Sequence, residues 1–414
     1  MKQPYQVADA LHLWWLASPA APRLVGTLRH VQRTARQPAG VSLLYAAEWL
    51  ADGMALSEDL PLQAGEFLPT EPEAAAGAVD DARPDRWGER VIRLLDRPAR
   101  LSTLEYLYFA GDDRFGALGV STSATQYLPR WHGATPQLGD VQAMHDLVRR
   151  VEAGEQVAEK LRRLITPGAT LGGARPKALL QLDGEPWVLK FADGDDPLDS
   201  PVIEHAAMTL AARAGMHVCP TRLLPLSRGH AVAVRRFDRA GGARLHALSA
   251  HVALRAAGQA LGYPELALLL RRRGPAEAIA AQGEELFRRM VFNILIDNTD
   301  DHEKNHALVL DAAQRYWLAP AFDVLPYGQA LGYQQMRVGR DGAVSTLANA
   351  LSEHRSFAFT LPRAQQVVAE VANVVNGWQA HFKKAGVSKQ DLALLSQHID
   401  RAFLREQREA ALAK

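Results

Sequence analysis

The sequence predicts an α+β protein in which a β-rich part precedes a mainly helical part. Between positions 161 and 239, short apolar runs such as KALLQL, PWVLKF and HAVAVRRF are separated by glycine-bearing turns, a pattern typical of β-strands. From about Ser249 onward, apolar residues recur at helical spacing, for example in EELFRRMVFNILIDN. A β-rich unit followed by a helical unit predicts two lobes with a cleft between them, which is a usual place for a ligand.

The individual elements follow from local patterns. Near the N-terminus, LHLWWLASPAA is predicted to be a strand rather than a secretory signal. The stretch GAVDDARPDRWGERVIRLLDRP predicts a turn-rich loop that enters a helix near Trp87. One helix is expected inside the β-rich part, from about Val202 to Ala214, and residues 363–382 and 388–412 are predicted to be amphipathic helices.

Composition narrows the class of protein. A chain of 414 residues, 48% of them hydrophobic, is long enough for two or three packed units. The formal net charge of +1 gives no global field that would favour nucleic acid or an anionic membrane as a direct partner. The single cysteine, Cys219, excludes an internal disulfide. Because no apolar run approaches the roughly 18 residues of a membrane span, we expect a soluble, cytoplasmic protein without a membrane partner.

The segment DNTDDHEKN, residues 297–305, concentrates ionisable and amide side chains in nine positions. A helix is predicted to end near Asn298, just as this segment begins. HALVL and RYWLA then flank DAAQ as a predicted β-hairpin, and PAFDVLP follows with Asp323. Because a hairpin returns the chain to its starting point, we expect Asp300 and Asn305 to lie close to Asp323.

Two carboxylates and one amide at one point suit phosphoryl transfer to a hydroxyl group. One carboxylate orients and deprotonates the acceptor, while the amide and the second carboxylate hold Mg²⁺ through hard oxygen ligands. The spacing Asp300-x-x-x-x-Asn305, followed by a separate aspartate, is the layout of kinases.

The β-rich part offers candidate phosphate-binding groups. TLGGARPKALL places Gly172 and Gly173 before a predicted strand, where missing side chains let backbone N–H groups approach phosphate oxygens. The pair fits neither the Walker A pattern nor G-x-G-x-x-G, so it is a weak signal by itself. Lys190 ends the run WVLK and is a candidate phosphate clamp, with Glu204 as its candidate helical partner.

Taken together, GGARPKA, VLKF, RRFDR, NTDDHEKNHALVL and LAPAFDVLPY resemble the HipA family, the serine/threonine-protein kinase toxins of type II toxin–antitoxin modules. DDARPDRWGERVI also resembles a stretch of that family's N-terminal region. The resemblance implies a two-lobed, protein-kinase-like (HipA-like) fold with a β-rich N-terminal lobe and a mainly helical C-terminal lobe. It implies a HipA-type N-terminal subdomain over 1–150, a nucleotide-binding β-rich part over 151–245 and a helical catalytic lobe over 246–414.

The resemblance also implies roles for individual residues. Asp300 would be the catalytic base, Asn305 and Asp323 the Mg²⁺ ligands, and His302 a neighbour of the nucleotide. Thr170 stands where well-studied members carry an autophosphorylated serine. The implied nucleotide-binding residues are Gly172, Gly173, Ala174, Arg175, Pro176, Lys177, Lys190, Arg235, Arg236, Phe237, His302 and Phe322.

The implied cofactors are ATP and Mg²⁺, and the implied partner is a HipB-like helix-turn-helix antitoxin dimer. Operator DNA would be reached indirectly through that antitoxin, which agrees with the near-neutral charge of this chain. The implied substrate is a cellular protein, and known relatives modify aminoacyl-tRNA synthetases. Growth arrest and persistence would be the outcome of that modification.

Other interpretations of the same residues remain open. The scaffold also suits a small-molecule kinase or a non-catalytic transcriptional co-repressor. A dinuclear metallohydrolase is the weakest alternative, because one histidine in the acid-rich loop poorly supports a transition-metal site. Four further charges of this loop are expected to be solvated rather than to act as ligands, namely Asp297, Asp301, Glu303 and Lys304.

Overall fold

The computed structural model describes residues 5–35, 37–130, 134–168, 173–194, 196–327 and 329–413. Its strands are β1 (Ala10–Trp15), β2 (Arg23–Val31), β3 (Gly40–Tyr45), β4 (Glu66–Phe67), β5 (Ala74–Ala75), β6 (Leu118–Ser121), β7 (Lys177–Leu182), β8 (Glu185–Phe191), β9 (Thr221–Pro225), β10 (His230–Arg235), β11 (Arg239–Ala240), β12 (Ala243–Arg244), β13 (Ala247–Ser249), β14 (Ala307–Leu310) and β15 (Tyr316–Leu318). Its α-helices are α1 (Ala47–Asp52), α2 (Arg86–Val91), α3 (Thr103–Phe109), α4 (Val141–Glu152), α5 (Ser200–Arg213), α6 (Ala250–Ala256), α7 (Tyr263–Arg273), α8 (Ile279–Leu295), α9 (Leu347–Ser352), α10 (Leu361–Asn376), α11 (Trp378–Lys384), α12 (Lys389–Ile399) and α13 (Ala402–Leu412). This mixture confirms the predicted α+β class.

The chain folds into two compact units. The N-terminal unit comprises Met1–Leu189 and Arg236–Leu248, and the C-terminal unit comprises Lys190–Arg235 and Ser249–Lys414. The chain therefore passes between the units three times: within β8, after β10 and within β13.

A mainly antiparallel sheet organises the N-terminal unit. Its strand order is β4-β3-β2-β1-β6, and β5 pairs in parallel with β3. In β1, Leu11 and Leu13 are fully buried on one face. The register to β2 then shifts between Leu13 and Trp14, so that Trp14 is buried as well. The strand predicted for LHLWW is confirmed.

The helix predicted near Trp87 is α2. Asp85 is its N-cap, because the side chain of Asp85 accepts a hydrogen bond from the backbone N–H of Gly88 at 2.9 Å. Trp87 itself is 2% exposed. The predicted runs KALLQL, PWVLKF and HAVAVRRF correspond to β7, β8 and β10.

The long helix α8 forms the core of the C-terminal unit. Phe287, Val291, Ile294 and Leu295 are fully buried, as their helical spacing predicts. They lie in the helix that packs against α7 and α10. The helix ends at Leu295 rather than near Asn298, because Asp297 adopts a left-handed backbone with φ of 59°.

The two predicted C-terminal helices are each split, so those predictions were wrong in extent. Gly377 separates α10 from α11, where glycine weakens helical continuity. The break between α12 and α13 lies at Asp400, whose carboxylate accepts hydrogen bonds from Trp378 Nε1 at 3.0 Å and Arg408 Nη2 at 2.8 Å. These partners are distant in sequence, so local patterning does not reveal the break.

The predicted hairpin after residue 305 is confirmed by β14 and β15. Leu308 faces Leu318 and Leu310 faces Tyr316 in antiparallel register. The N–H of Ala319 donates to the carbonyl of Ala307 at 2.8 Å. The residues before β14 and those after β15 therefore lie at the same end of the hairpin.

The helices among the described residues are too short or too polar for any of them to span a membrane.

Candidate active site

A buried ion triad in the C-terminal unit centres on Lys190, near the end of β8. Its ammonium donates to Glu204 Oε1 on α5 at 2.7 Å and to Asp323 Oδ1 after the hairpin at 2.5 Å. Lys190 and Glu204 are 3% and 2% exposed. The helical partner predicted for Lys190 is confirmed, and the triad joins a strand, a helix and a loop.

The electrostatics of this triad keep the lysine charged. Burial acts most strongly and disfavours the ammonium, but the carboxylates of Asp323 and Glu204 together outweigh it and raise the pKa of Lys190. Two carboxylates around one ammonium leave an excess negative charge. A divalent cation would neutralise that charge.

The backbone conformation of Asp323 and the backbone hydrogen bonds of its neighbour Ala321 fix the position of Asp323. Its φ is 57°, in the left-handed region that non-glycine residues seldom adopt. Two residues earlier, Ala321 exchanges backbone hydrogen bonds with the segment before β9, donating to the His217 carbonyl and accepting from the Cys219 N–H, both at 2.8 Å. Such strained backbone persists where its surroundings over-determine it, and it concentrates at functional sites.

Asn305 lies just before β14, at the end of a single 3₁₀ turn over Glu303–Asn305. Its Nδ2 makes a long contact of 3.5 Å with the carbonyl oxygen of Asp300, which is half-buried. Its Oδ1 is buried and has no hydrogen-bond partner among the described residues. Buried polar atoms are usually paired. An unpaired amide oxygen is a ligand type that Mg²⁺ accepts, so the side chains present fit a magnesium site.

Asp301 is not the solvated charge that the sequence predicted. It is 2% exposed, and its Oδ2 accepts hydrogen bonds from the Tyr263 hydroxyl and from His306 Nε2 at 3.1 Å. The Tyr263 oxygen in turn accepts from Asn293 Nδ2 on α8 at 3.2 Å. Burial would raise the pKa of Asp301, but His306 and the Tyr263 hydroxyl outweigh it and lower the pKa. The prediction was wrong because this loop packs onto α7 and α8.

Asp297 and Glu303 also depart from the prediction of surface charges. Asp297 is 1% exposed, with Oδ1 accepting from Arg401 Nη2 at 2.8 Å and Oδ2 from the Ala330 N–H at 3.2 Å. Glu303 is half-buried, with Oε1 2.6 Å from His251 Nδ1. Lys304 is exposed, as predicted. Asp297, Asp301 and Glu303 therefore anchor the loop. The sequence pattern does not distinguish such buried acids from acids that are exposed to solvent.

The remaining loop candidates are His302 and Phe322. His302 is half-buried, and its Nδ1 is buried without a hydrogen-bond partner among the described residues. Phe322, directly before Asp323, is 3% exposed.

In the N-terminal unit, the candidate phosphate loop comprises residues 172–177 and is described from Gly173 onward, whereas Thr170 and Gly172 lie outside the described residues. Gly173 and Ala174 are exposed, Arg175 is half-buried and Pro176 is buried. Lys177 is 1% exposed, and its ammonium donates to Asp85 Oδ2 and to the Gly173 carbonyl at 2.5 Å. The Lys177 ammonium is therefore engaged by groups of the protein, and its phosphate contact stays a prediction.

The resemblance implies that Arg235, Arg236 and Phe237 form the hinge that faces adenine, and these residues lie at and just after the end of β10. Arg235 is exposed at the end of β10. The guanidinium of Arg236 is ion-paired with Asp113 at 3.1 Å and with Asp238 at 2.8 Å, and its backbone N–H donates to Pro186 at 3.1 Å. These donors are engaged inside the N-terminal unit, and the adenine contact of this segment stays a prediction. Phe237 is half-buried, with its ring 6.0 Å from that of Phe115.

The donor set favours phosphoryl transfer over the metallohydrolase alternative. Among the residues that the structure describes, no three His, Cys, Asp or Glu side chains gather as a transition-metal site would need. Asn305 and Asp323 offer an amide oxygen and a carboxylate instead, which are ligand types that Mg²⁺ accepts beside substrate phosphates.

Comparison with solved structures identifies a chain of the same fold. HipA of Shewanella oneidensis, solved in complex with HipB and its operator DNA, is 16% identical, with a TM-score of 0.66 over 97% of each chain. This similarity confirms the predicted HipA-like fold. Among curated proteins, the "Putative kinase Y4dM" of Sinorhizobium fredii is 29% identical over 161 residues, which is 34% of this chain. The match spans 37% of that relative's length.

Two family domains cover most of the chain. Residues 21–121 match the HipA N-terminal domain. Residues 169–378, about half of the chain, match the HipA-like C-terminal domain, which contains the ion triad, Asp300 and Asn305. The chain therefore belongs to the HipA family.

Proposed function

We propose that this protein is an ATP- and Mg²⁺-dependent serine/threonine-protein kinase that acts as the toxin of a HipA/HipB-like toxin–antitoxin system. One observation carries the proposal. Asn305 buries an amide oxygen that has no partner among the described residues, in the loop that also holds Asp300. The hairpin that follows brings the chain back to Asp323, which is ion-paired with Lys190.

Each of these residues has a role in phosphate transfer. Asp300 orients the acceptor hydroxyl and takes its proton as the oxygen attacks the γ-phosphorus and the bond to the ADP oxygen breaks. Lys190, aligned by Glu204, binds the α- and β-phosphates. Asn305 and Asp323 would hold Mg²⁺, which would neutralise charge on the phosphates.

The remaining nucleotide contacts follow family resemblance. Residues 173–175 would contact phosphate through their backbone N–H groups, which Pro176 lacks, and His302 and Phe322 would lie beside the nucleotide. Arg235 and Phe237 remain hinge candidates, whereas the side chain of Arg236 is held by acids. Thr170 is the proposed autophosphorylation site.

The proposed partner is a HipB-like helix-turn-helix antitoxin dimer. S. oneidensis HipA was solved with HipB and operator DNA, and its fold extends over 97% of this chain. DNA would be contacted mainly by the antitoxin, consistent with a net charge of +1 here. The acceptor would be a cellular protein whose phosphorylation arrests growth, with aminoacyl-tRNA synthetases as the class that the resemblance implies.

Asp300→Asn and Asp323→Asn test the proposal. Both conservative changes should leave the fold intact, and Asp300→Asn should lower phosphate transfer by at least about 100-fold because it removes the general base. Radiolabel transfer from ATP to a protein acceptor measures the rate, and growth after expression of each form alone measures toxicity. Transfer at the wild-type rate in either variant would refute the assigned roles. Transfer to a small molecule, with none to protein, would favour the small-molecule kinase.

A further inference from the structure

The N-terminal domain contacts the candidate phosphate loop, whose binding of ATP rests on the proposed kinase function. Helix α2 and its N-cap lie within the matched HipA N-terminal domain. The candidate loop lies in the same compact unit, more than 80 positions later in the chain. Contacts from α2 and its surroundings reach both sides of the loop.

On the C-terminal side of the loop, two side chains hold Lys177. Asp85 accepts from the Lys177 ammonium, which also donates to the Gly173 carbonyl at 2.5 Å. The Trp87 indole N–H donates to the Lys177 backbone carbonyl at 2.9 Å. Lys177 and Trp87 are 1% and 2% exposed, so water competes little with these contacts.

On the N-terminal side of the loop, the fit is steric. A Cβ atom at Gly88 would lie 2.1 Å from the carbonyl oxygen of Pro167. A Cβ atom at Gly168 would lie 2.5 Å from the carbonyl oxygen of Ala110. The backbone before the loop therefore lies directly against α2 and the end of α3, an approach that only glycine permits.

We infer that Asp85 and Trp87 are positioning residues for the phosphate loop, acting through Lys177 and Gly173. In this arrangement the Lys177 ammonium is held between Asp85, the N-cap of α2, and the Gly173 carbonyl. The backbone of the loop is therefore fixed before a nucleotide binds. Such preorganisation increases affinity by reducing the ordering cost of binding.

Asp85→Asn and Trp87→Phe test this role. Asparagine can keep the side-chain oxygen that caps α2, but its NH₂ group in place of Oδ2 cannot accept a hydrogen bond from the Lys177 ammonium. Phenylalanine keeps an aromatic ring and removes the indole donor, with a cost in packing that thermal unfolding measures. We expect each variant to bind ATP about tenfold more weakly, because small displacements of positioning groups have effects of that size or larger. Affinity for adenosine, which has no phosphates, should be unchanged.

Competition against a fluorescent ATP analogue measures both affinities, and thermal unfolding monitors folding. Asp52→Asn is the matched control, since Asp52 forms an exposed ion pair with Arg23 at 2.5 Å in the same unit. Equal losses for ATP and adenosine, or no loss for ATP, would overturn the positioning role. Wild-type protein that binds no ATP would instead refute the proposed function, so the two failures are distinguishable. Should Asp85→Asn unfold, Trp87→Phe decides the question by the same two affinities.

Discussion

At the scale of single residues, we expect Asn305 to contribute to Mg²⁺ binding and very little to the stability of the fold. Its Oδ1 has no partner among the described residues, and its Nδ2 contact to Asp300 is long. Replacing it with alanine should therefore change the free energy of unfolding by less than about 1 kcal/mol. Mg²⁺-dependent ATP binding should be lost, and calorimetry with and without Mg²⁺ measures it.

Asn376 offers the matched control, because its Oδ1 accepts from Arg408 Nε at 2.9 Å. Asn376→Ala should cost stability and leave ATP binding unchanged. The reverse pattern, with Asn305→Ala strongly destabilised and still binding ATP in a Mg²⁺-dependent way, would show that Asn305 is a structural residue.

The sequence predicts single residues well where a motif carries chemistry. Lys190 and Glu204 pair as predicted, because a strand lysine and a helical acid have few alternatives when both are buried. Asp301 could not be predicted in the same way. Its burial depends on Tyr263, 38 positions earlier, which the spacing within DNTDDHEKN does not reveal.

At the scale of elements, Tyr263 links α7 to the loop that holds Asp300. Tyr263→Phe removes a hydroxyl that donates to Asp301 and accepts from Asn293, leaving both groups short of a partner. We expect a loss of about 1–3 kcal/mol in the free energy of unfolding. Because the loop loses support beside Asp300, kcat for phosphate transfer should fall while ATP affinity is retained.

Tyr45→Phe is the control for this change. Tyr45 is also buried, and its hydroxyl donates to the Leu60 carbonyl at 2.8 Å in the N-terminal unit. It should lose comparable stability without a fall in kcat. Urea can be added until the two variants have the same free energy of unfolding. An equal fall in kcat in both variants under these conditions would mean that Tyr263 acts only through global stability.

The contact between the loop and α6 should depend on pH. Burial alone would raise the pKa of Glu303, but the hydrogen bond from His251 outweighs it and lowers the pKa to about 2 from an ordinary value of 4.5. A carboxyl group whose pKa is lower in the folded chain than in the unfolded chain stabilises the fold at pH values above the unfolded pKa. This stabilisation is lost as the pH falls toward the pKa of the folded chain.

The destabilisation caused by Glu303→Gln should therefore be larger at about pH 5 than at about pH 3. Urea unfolding of both proteins at each pH measures the difference. An equal difference at both pH values would show that the Glu303 carboxylate has the same pKa in the folded and unfolded chains.

Elements were predictable where periodicity is local. The strands β7, β8 and β10 and the hairpin of β14 and β15 follow directly from short apolar runs. The split of the two C-terminal helices was not predictable, because Asp400 is fixed by Trp378 and Arg408 across the helical subdomain. Local patterns do not report such contacts.

At the scale of the whole molecule, the two matched domains show the family, and S. oneidensis HipA shares the fold. The proposed magnesium ligands and the proposed base all lie in the C-terminal unit. The division at about residues 150 and 245 stays a prediction. The chain's own compact units interleave instead, because β8 and β13 each belong partly to both. Changes in composition along a sequence do not reveal that a chain passes several times between two units.

We propose that Asn305 and Asp323 converge on one magnesium ion beside a nucleotide that Lys190 clamps. A crystal of the full chain grown with a non-hydrolysable ATP analogue and Mn²⁺ in place of Mg²⁺ tests this arrangement, since manganese gives an anomalous signal. We expect an anomalous peak in contact with Asn305 Oδ1 and the Asp323 carboxylate, with Lys190 on the phosphates. A bound analogue whose metal and phosphates lie away from these side chains would contradict it.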